Sequence, residues 1–178
     1  GLAGPVEAML TGGYGGAWVR QEDLWQVPWS PGPISEVGGV VGAGILWAMS
    51  AQVCPLDEVA SVVHWMAGES AGQCGPCRFG LPSIADDLAL LAGEQVSAED
   101  TARLKRRLGL VVNRGACKHP DGVVRFVSSG LHAFRAEVSM HLNGRCGAAA
   151  IVGGPQQARL PLPAGRQIPV KPAGKDFQ

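Results

Sequence analysis

Glu69-Ser70-Ala71-Gly72-Gln73-Cys74-Gly75-Pro76-Cys77-Arg78 is the stretch that organises this 178-residue chain. Cys-x-x-Cys puts two thiolates on one tight loop, close enough to serve one metal centre. The residues on either side carry helical periods, so the loop joins two helices. Upstream, Pro55 suits a first helical position and Asp57 and Glu58 suit a first turn. Val59, Val62, Val63 and Met66 then form one apolar stripe. Downstream, a helix is expected over residues 81–91, with Ile84, Leu88 and Leu91 inward and Gly93 stopping it.

A third helix opens on Ser97-Ala98-Glu99-Asp100, a capping box with Asp in place of Glu, and buries Leu104 and Leu108 before Gly109. A fourth is expected over residues 122–142, burying Val127, Leu131, Phe134 and Val138. Four helices with short connections predict an antiparallel up-down bundle over residues 54–146. In that topology Cys74, Cys77 and Cys117 fall at one end of the bundle. Cys54 and Cys146 fall together at the other, either as two unrelated thiols or as a redox or structural pair. A first helix of about 15 residues spans roughly 22 Å, so Cys54 cannot serve the far end.

Residues 1–53 read differently. Short apolar runs at residues 6–10, 17–19 and 44–49 are expected strands, broken by Gly and Pro, with Gly12-Gly13-Tyr14-Gly15-Gly16 as a tight turn. That glycine run lacks the spacing of a phosphate-binding loop. The predicted class is therefore α+β, a small β domain followed by a helical bundle. Residues 147–178 lose all period and read as an extended tail or linker.

Composition narrows the function. Hydrophobic residues make up 46% and charged residues 17%, so the chain can bury a core, and the formal net charge is zero. Zero net charge gives no reason to expect nucleic acid. Lys105-Arg106-Arg107 reads as a solvated last helical turn. The longest apolar run, residues 40–49, is half of what a membrane span needs, so no membrane insertion is expected. Five cysteines, an odd number with one Cys-x-x-Cys pair, favour metal ligation in a reducing cytoplasm over a disulfide scaffold. Gly1 in place of an initiator methionine suggests a processed or partial chain. On spacing alone, the sulfurs fit iron–sulfur or zinc, and zinc would recruit His119 as a fourth ligand. His64, His132 and His141 read as ordinary helix-face residues.

Glu-Ser-x-Gly-x-Cys-x-Pro-Cys-Arg at residues 69–78, with Cys117 forty residues after Cys77, resembles the [4Fe–4S] region of the NADH-binding flavoprotein subunit of respiratory complex I and related diaphorase subunits. Residues 5–50, with Gly38-Gly39-Val40-Val41-Gly42-Ala43-Gly44-Ile45, resemble the soluble-ligand-binding β-grasp domain that precedes it. The resemblance implies an iron–sulfur cluster on Cys74, Cys77 and Cys117, supported by Glu69, Ser70, Arg78 and His119. It also implies electron relay from a flavin to a ferredoxin or another iron–sulfur protein. The family's FMN- and NADH-binding half is not among these residues, so the chain is not expected to be catalytically complete alone or to hold a catalytic residue. Those cofactors would belong to a partner or an upstream domain. The family's first cluster cysteine falls on Ala71, leaving the fourth ligand open between [4Fe–4S] and [3Fe–4S] arrangements. The rival reading is a zinc-stabilised interaction module without redox activity.

Overall fold

The computed structural model describes residues 5–51, 53–93, 96–148 and 160–162. Three strands, β1 (Val6–Thr11), β2 (Ala17–Arg20) and β3 (Leu46–Ser50), form an antiparallel sheet in the order β2-β1-β3. Leu10 pairs with Trp18 on one side and Trp47 on the other. The turn between β1 and β2 depends on glycine. A Cβ at Gly16 would lie 1.9 Å from the Thr11 carbonyl oxygen, so no side chain fits there.

β1 is buried on both faces. Ala8 and Leu10 join Trp18 and Met49 against the helices, while Met9 packs with Val19, Leu24 and Ile34. The second cluster is supplied by two short helices, α1 (Gln21–Leu24) and α2 (Pro31–Glu36). Neither is long enough to leave a helical period in the sequence.

The long helices follow the expected pattern, with displaced boundaries. α3 (Pro55–Gly68) starts at Pro55, and α4 (Leu81–Ala92) stops at Gly93. A π-helical turn, Pro76–Gly80, leads into α4. α5 (Ala98–Val111) carries the full capping box, in which Asp100 N–H donates to Ser97 Oγ and Ser97 N–H donates to the Asp100 carboxylate. It runs through Gly109 to Val111, placing Lys105-Arg106-Arg107 in its middle rather than its last turn. Arg107 and Arg103 both reach the buried Asp87 of α4, at 2.7 and 2.8 Å, and clamp α5 to α4.

The helix expected over residues 122–142 is two helices, α6 (His119–Ala133) and α7 (Arg135–His141), separated at Phe134. It starts early because Pro120 occupies the first turn, where a missing N–H costs nothing. At the break, the Phe134 ring seats 5.2 Å from the Trp18 ring, with Phe126 at 5.6 Å. The overall class is α+β, as the sequence indicates. Among the described residues no helix is long and apolar enough to cross a membrane. Within the expected tail, Leu160 is buried. Its N–H donates to Glu58 of α3, and Tyr14 donates its hydroxyl proton to the Pro161 carbonyl.

Trp18 joins the sheet to the helices through both aromatic contacts and through its backbone N–H, which donates to Ser129 Oγ. Truncating it to Ala should lower unfolding free energy by about 3–5 kcal/mol in denaturant titrations. Trp18→Phe should cost clearly less, because the buried indole N–H has no hydrogen-bond partner among the described residues. Equal losses for the two variants would place the stabilisation outside the ring contacts.

Candidate metal centre

α3 ends at Glu69, whose N–H closes back on the Trp65 carbonyl. The chain then turns through Gly72, at φ +65°, a backbone angle that favours glycine. Arg78 N–H donates to the Cys74 carbonyl at 2.9 Å, which folds Cys74 and Cys77 onto the same tight turn. That turn lies hard against the end of α5. A Cβ on Gly80 would fall 2.4 Å from a Val111 methyl.

After α5 the chain reverses at Asn113, which adopts φ +59° and donates its N–H to the Asp121 carboxylate. This returns Cys117 toward the Cys-x-x-Cys turn, just before α6. His119 fastens the junction, its Nε2 donating to the Met66 carbonyl at 3.0 Å. Glu69 therefore caps one helix, and His119 ties the start of α6 to the end of α3. Arg78 is exposed, with its guanidinium 5.8 Å from the centre of the exposed Phe79 ring.

The Cys77 thiol senses both of the other sulfurs. The N–H groups of Ala116 and then Cys77 hold the Cys74 thiol below its ordinary pKa. Burial, and after it the Cys74 and Cys117 sulfurs, push Cys77 up to about 11, against a hydrogen bond with Ser70. Cys77 is buried, Cys74 is half-buried and Cys117 is exposed. The arrangement is a graded set of sulfurs with amide donors and the Ser70 hydroxyl beside Cys77. Cysteine sulfurs flanked by amide donors are the ligand type that iron–sulfur clusters use. Ala71 is exposed beside it and offers a methyl group, its carbonyl accepting from Gln73 Nε2.

Among the described residues, single-ion spacing occurs elsewhere. Cys54, Glu137, His141 and Cys146 bring one ligand atom each to within 4.8 Å of one another. Cys54 and Cys146 do come together away from the other three cysteines, as the helix order predicted. His141 is not an ordinary helix-face residue, being 2% exposed and hydrogen-bonded through both ring nitrogens. Sequence reading passed over it and Glu137, although Glu-x-x-x-His followed by Cys146 places all three within ten residues.

The stretch that carries these cysteines is similar to known proteins. Residues 57–141 match the family described as the NADH-ubiquinone oxidoreductase-F iron–sulfur binding region. The F subunit of NADH-quinone oxidoreductase in Buchnera aphidicola subsp. Acyrthosiphon pisum is 27% identical over 79% of this chain and 32% of its own length. Its Escherichia coli K12 counterpart is 28% identical over 74% of this chain and 29% of its own. The chain thus spans about a third of the curated relatives it matches. A chain of an NAD+-reducing [NiFe]-hydrogenase superimposes with a TM-score of 0.63 at 21% identity, over 78% of this chain and 24% of that one. The resemblance read from residues 69–78 and Cys117 is met.

In metal-free protein the sulfur environments should be separable by alkylation. Iodoacetamide at pH 8 should modify Cys74 and Cys117 before Cys77, because a thiol at about 11 is almost wholly protonated there. Raising the pH toward 11 should close the gap. Peptide mass spectrometry reads the order, and Cys77 reacting first would contradict the pocket described.

Proposed function

We propose that this chain, which carries the iron–sulfur binding region of the NADH-ubiquinone oxidoreductase-F family, binds a cluster through Cys74, Cys77 and Cys117 and relays electrons. The observation that carries this reading is the convergence of three thiols from two separate loops into one amide-lined pocket. The cluster, when bound, supplies reversible one-electron transfer. The protein's part is to hold and tune it. Ala116 and Cys77 N–H groups stabilise sulfur as an anion, Ser70 donates toward Cys77, and Arg78 adds a positive charge at the rim. Glu69 and His119 position the two ligand loops through the ends of α3 and α6.

The exposed side, with Cys117, Arg78 and Phe79, is where electrons would leave toward a ferredoxin or another iron–sulfur protein. The donor would be a flavin reduced by NADH, held by an attached domain or a partner subunit. We read residues 1–53 as a β-grasp-like docking domain, residues 54–146 as an antiparallel four-helix cluster domain, and residues 147–178 as a linker. The strand order and the packing of α3 with α4 and α6 are in keeping with that division. A reducing cytoplasmic setting suits five free cysteines. A zinc-only role for this pocket is disfavoured, because His119, its required fourth ligand, is engaged with Met66.

Ala71 leaves one ligand position to Ser70, water or a partner residue. Anaerobically prepared protein should contain iron and acid-labile sulfide, and Cys74→Ser, Cys77→Ser and Cys117→Ser should each lose both. Ala71→Cys should raise the iron content toward four per cluster and slow its loss in air. Full iron retention in all three serine variants would sink the assignment. Identical iron content and air stability in parent and Ala71→Cys would show that position 71 does not face the cluster.

A further inference from the structure

Four chemically matched side chains converge at the start of α3, outside the cluster pocket. Cys54 is the residue before the helix, Glu137 and His141 sit one turn apart on α7, and Cys146 follows α7. Their ligand atoms all lie within 4.8 Å of one another. His141 Nε2 is 3.5 Å from Cys54 Sγ and 3.2 Å from Glu137 Oε1. A four-coordinate zinc ion with ligand bonds of 2.0–2.3 Å requires ligand–ligand edges of about 3.3–3.8 Å. The 3.5 Å separation falls within that range and the 3.2 Å one lies just below it. Glu137 and His141 are 8% and 2% exposed, so these donors face one another and not water.

The imidazole fixes the logic of the site. His141 Nδ1 lies 3.1 Å from the Gly93 carbonyl, which can only accept, so Nδ1 carries a proton. A cation that displaces the proton between Nε2 and Glu137 would then meet the Nε2 lone pair beside a carboxylate oxygen and a sulfur. A ring nitrogen fixed by a backbone carbonyl on its far side, with the other nitrogen aimed among anionic donors, is how histidines are held on metals. The carboxylate is oriented too. Gly147 N–H donates to Glu137 Oε1 at 2.8 Å, and a Cβ at Gly147 would fall 2.6 Å from Oε2.

We propose that Cys54, Glu137, His141 and Cys146 form a second metal centre, a closed structural site for a single zinc-class divalent cation. Both thiols bind as thiolates. With the carboxylate they place three negative charges on a dication, leaving one, which the N–H groups of Leu56 and Asp57 at the Cys54 sulfur help to offset. Without a cation that charge is unfavourable. Cation binding releases the thiol protons and the proton between His141 and Glu137 to solvent, and no electron is transferred. No ligand position remains for water, so the role is mechanical. The ion would staple the segment after α7 to the start of α3, with His141 extending the tie to the end of α4 through Gly93.

The test uses the full chain, purified anaerobically without chelator and supplied with equimolar zinc, then desalted. Metal analysis should find one zinc ion per chain in addition to iron. Zinc-edge X-ray absorption should show two sulfur neighbours at about 2.3 Å and two lighter ones. His141→Ala and Cys146→Ser should lose the zinc and keep the iron, while Cys74→Ser should lose the iron and keep the zinc. The absorption measurement on the parent protein stands even if a variant fails to fold. Absence of zinc would overturn the proposal, and so would zinc with three sulfur neighbours, which would put it among Cys74, Cys77 and Cys117. A Cys54–Cys146 disulfide in the anaerobic protein would overturn it equally.

Discussion

Burial of α3 on most of its circumference is the constraint from which the rest of the molecule follows. Leu56, Val59, Val62, Val63 and Met66 are all at most 5% exposed. At 1.5 Å per residue its 14 residues make a rod of about 21 Å. α4 packs along one flank, α6 along another, and the sheet closes over it through Trp18 and Leu10. A rod held this firmly fixes what lies at its two ends. One end delivers the Cys-x-x-Cys loop, and the other begins at Cys54.

The two ends are chemically unlike, and the difference is electrostatic. At the Cys74 end, sulfur is graded from buried to exposed and amide N–H groups favour the anion. Such a pocket can exchange charge with its surroundings. At the Cys54 end, sulfur, nitrogen and oxygen donors close on one point, with His141 and Glu137 held by backbone hydrogen bonds. A site of that kind fastens chain segments together. The buried Asp87, clasped by Arg103 and Arg107, fixes α4 to α5 in a similar way without a metal.

Features governed by neighbouring residues were legible in the sequence. Pro55, the Ser97–Asp100 box and Gly93 each mark a helix end by local hydrogen bonding, and the structure places ends there. The three expected strands are present and pair in one antiparallel sheet. Cys-x-x-Cys is a local pattern, and the helix order brings Cys117 back toward it. Features set by distant contacts were not. The break at Phe134 accompanies an aromatic seat on Trp18, more than a hundred residues away in the chain. α1 and α2 are too short to show a period. Glu137 and His141 look like polar helix residues until Cys54, more than eighty residues earlier, is folded against them. Leu160 sits in a stretch without pattern, yet its backbone is held by the buried Glu58.

The central claim is that the sulfur pocket at the end of α3 holds an iron–sulfur cluster that changes oxidation state. Low-temperature electron paramagnetic resonance of the anaerobic full chain, before and after dithionite reduction, tests it most directly. A [4Fe–4S] centre becomes paramagnetic on reduction and a [3Fe–4S] centre is paramagnetic when oxidised. The account predicts a fast-relaxing cluster signal in one of the two states, absent from Cys77→Ser protein. Silence in both states from iron-replete protein, or a signal that survives Cys77→Ser unchanged, would contradict it.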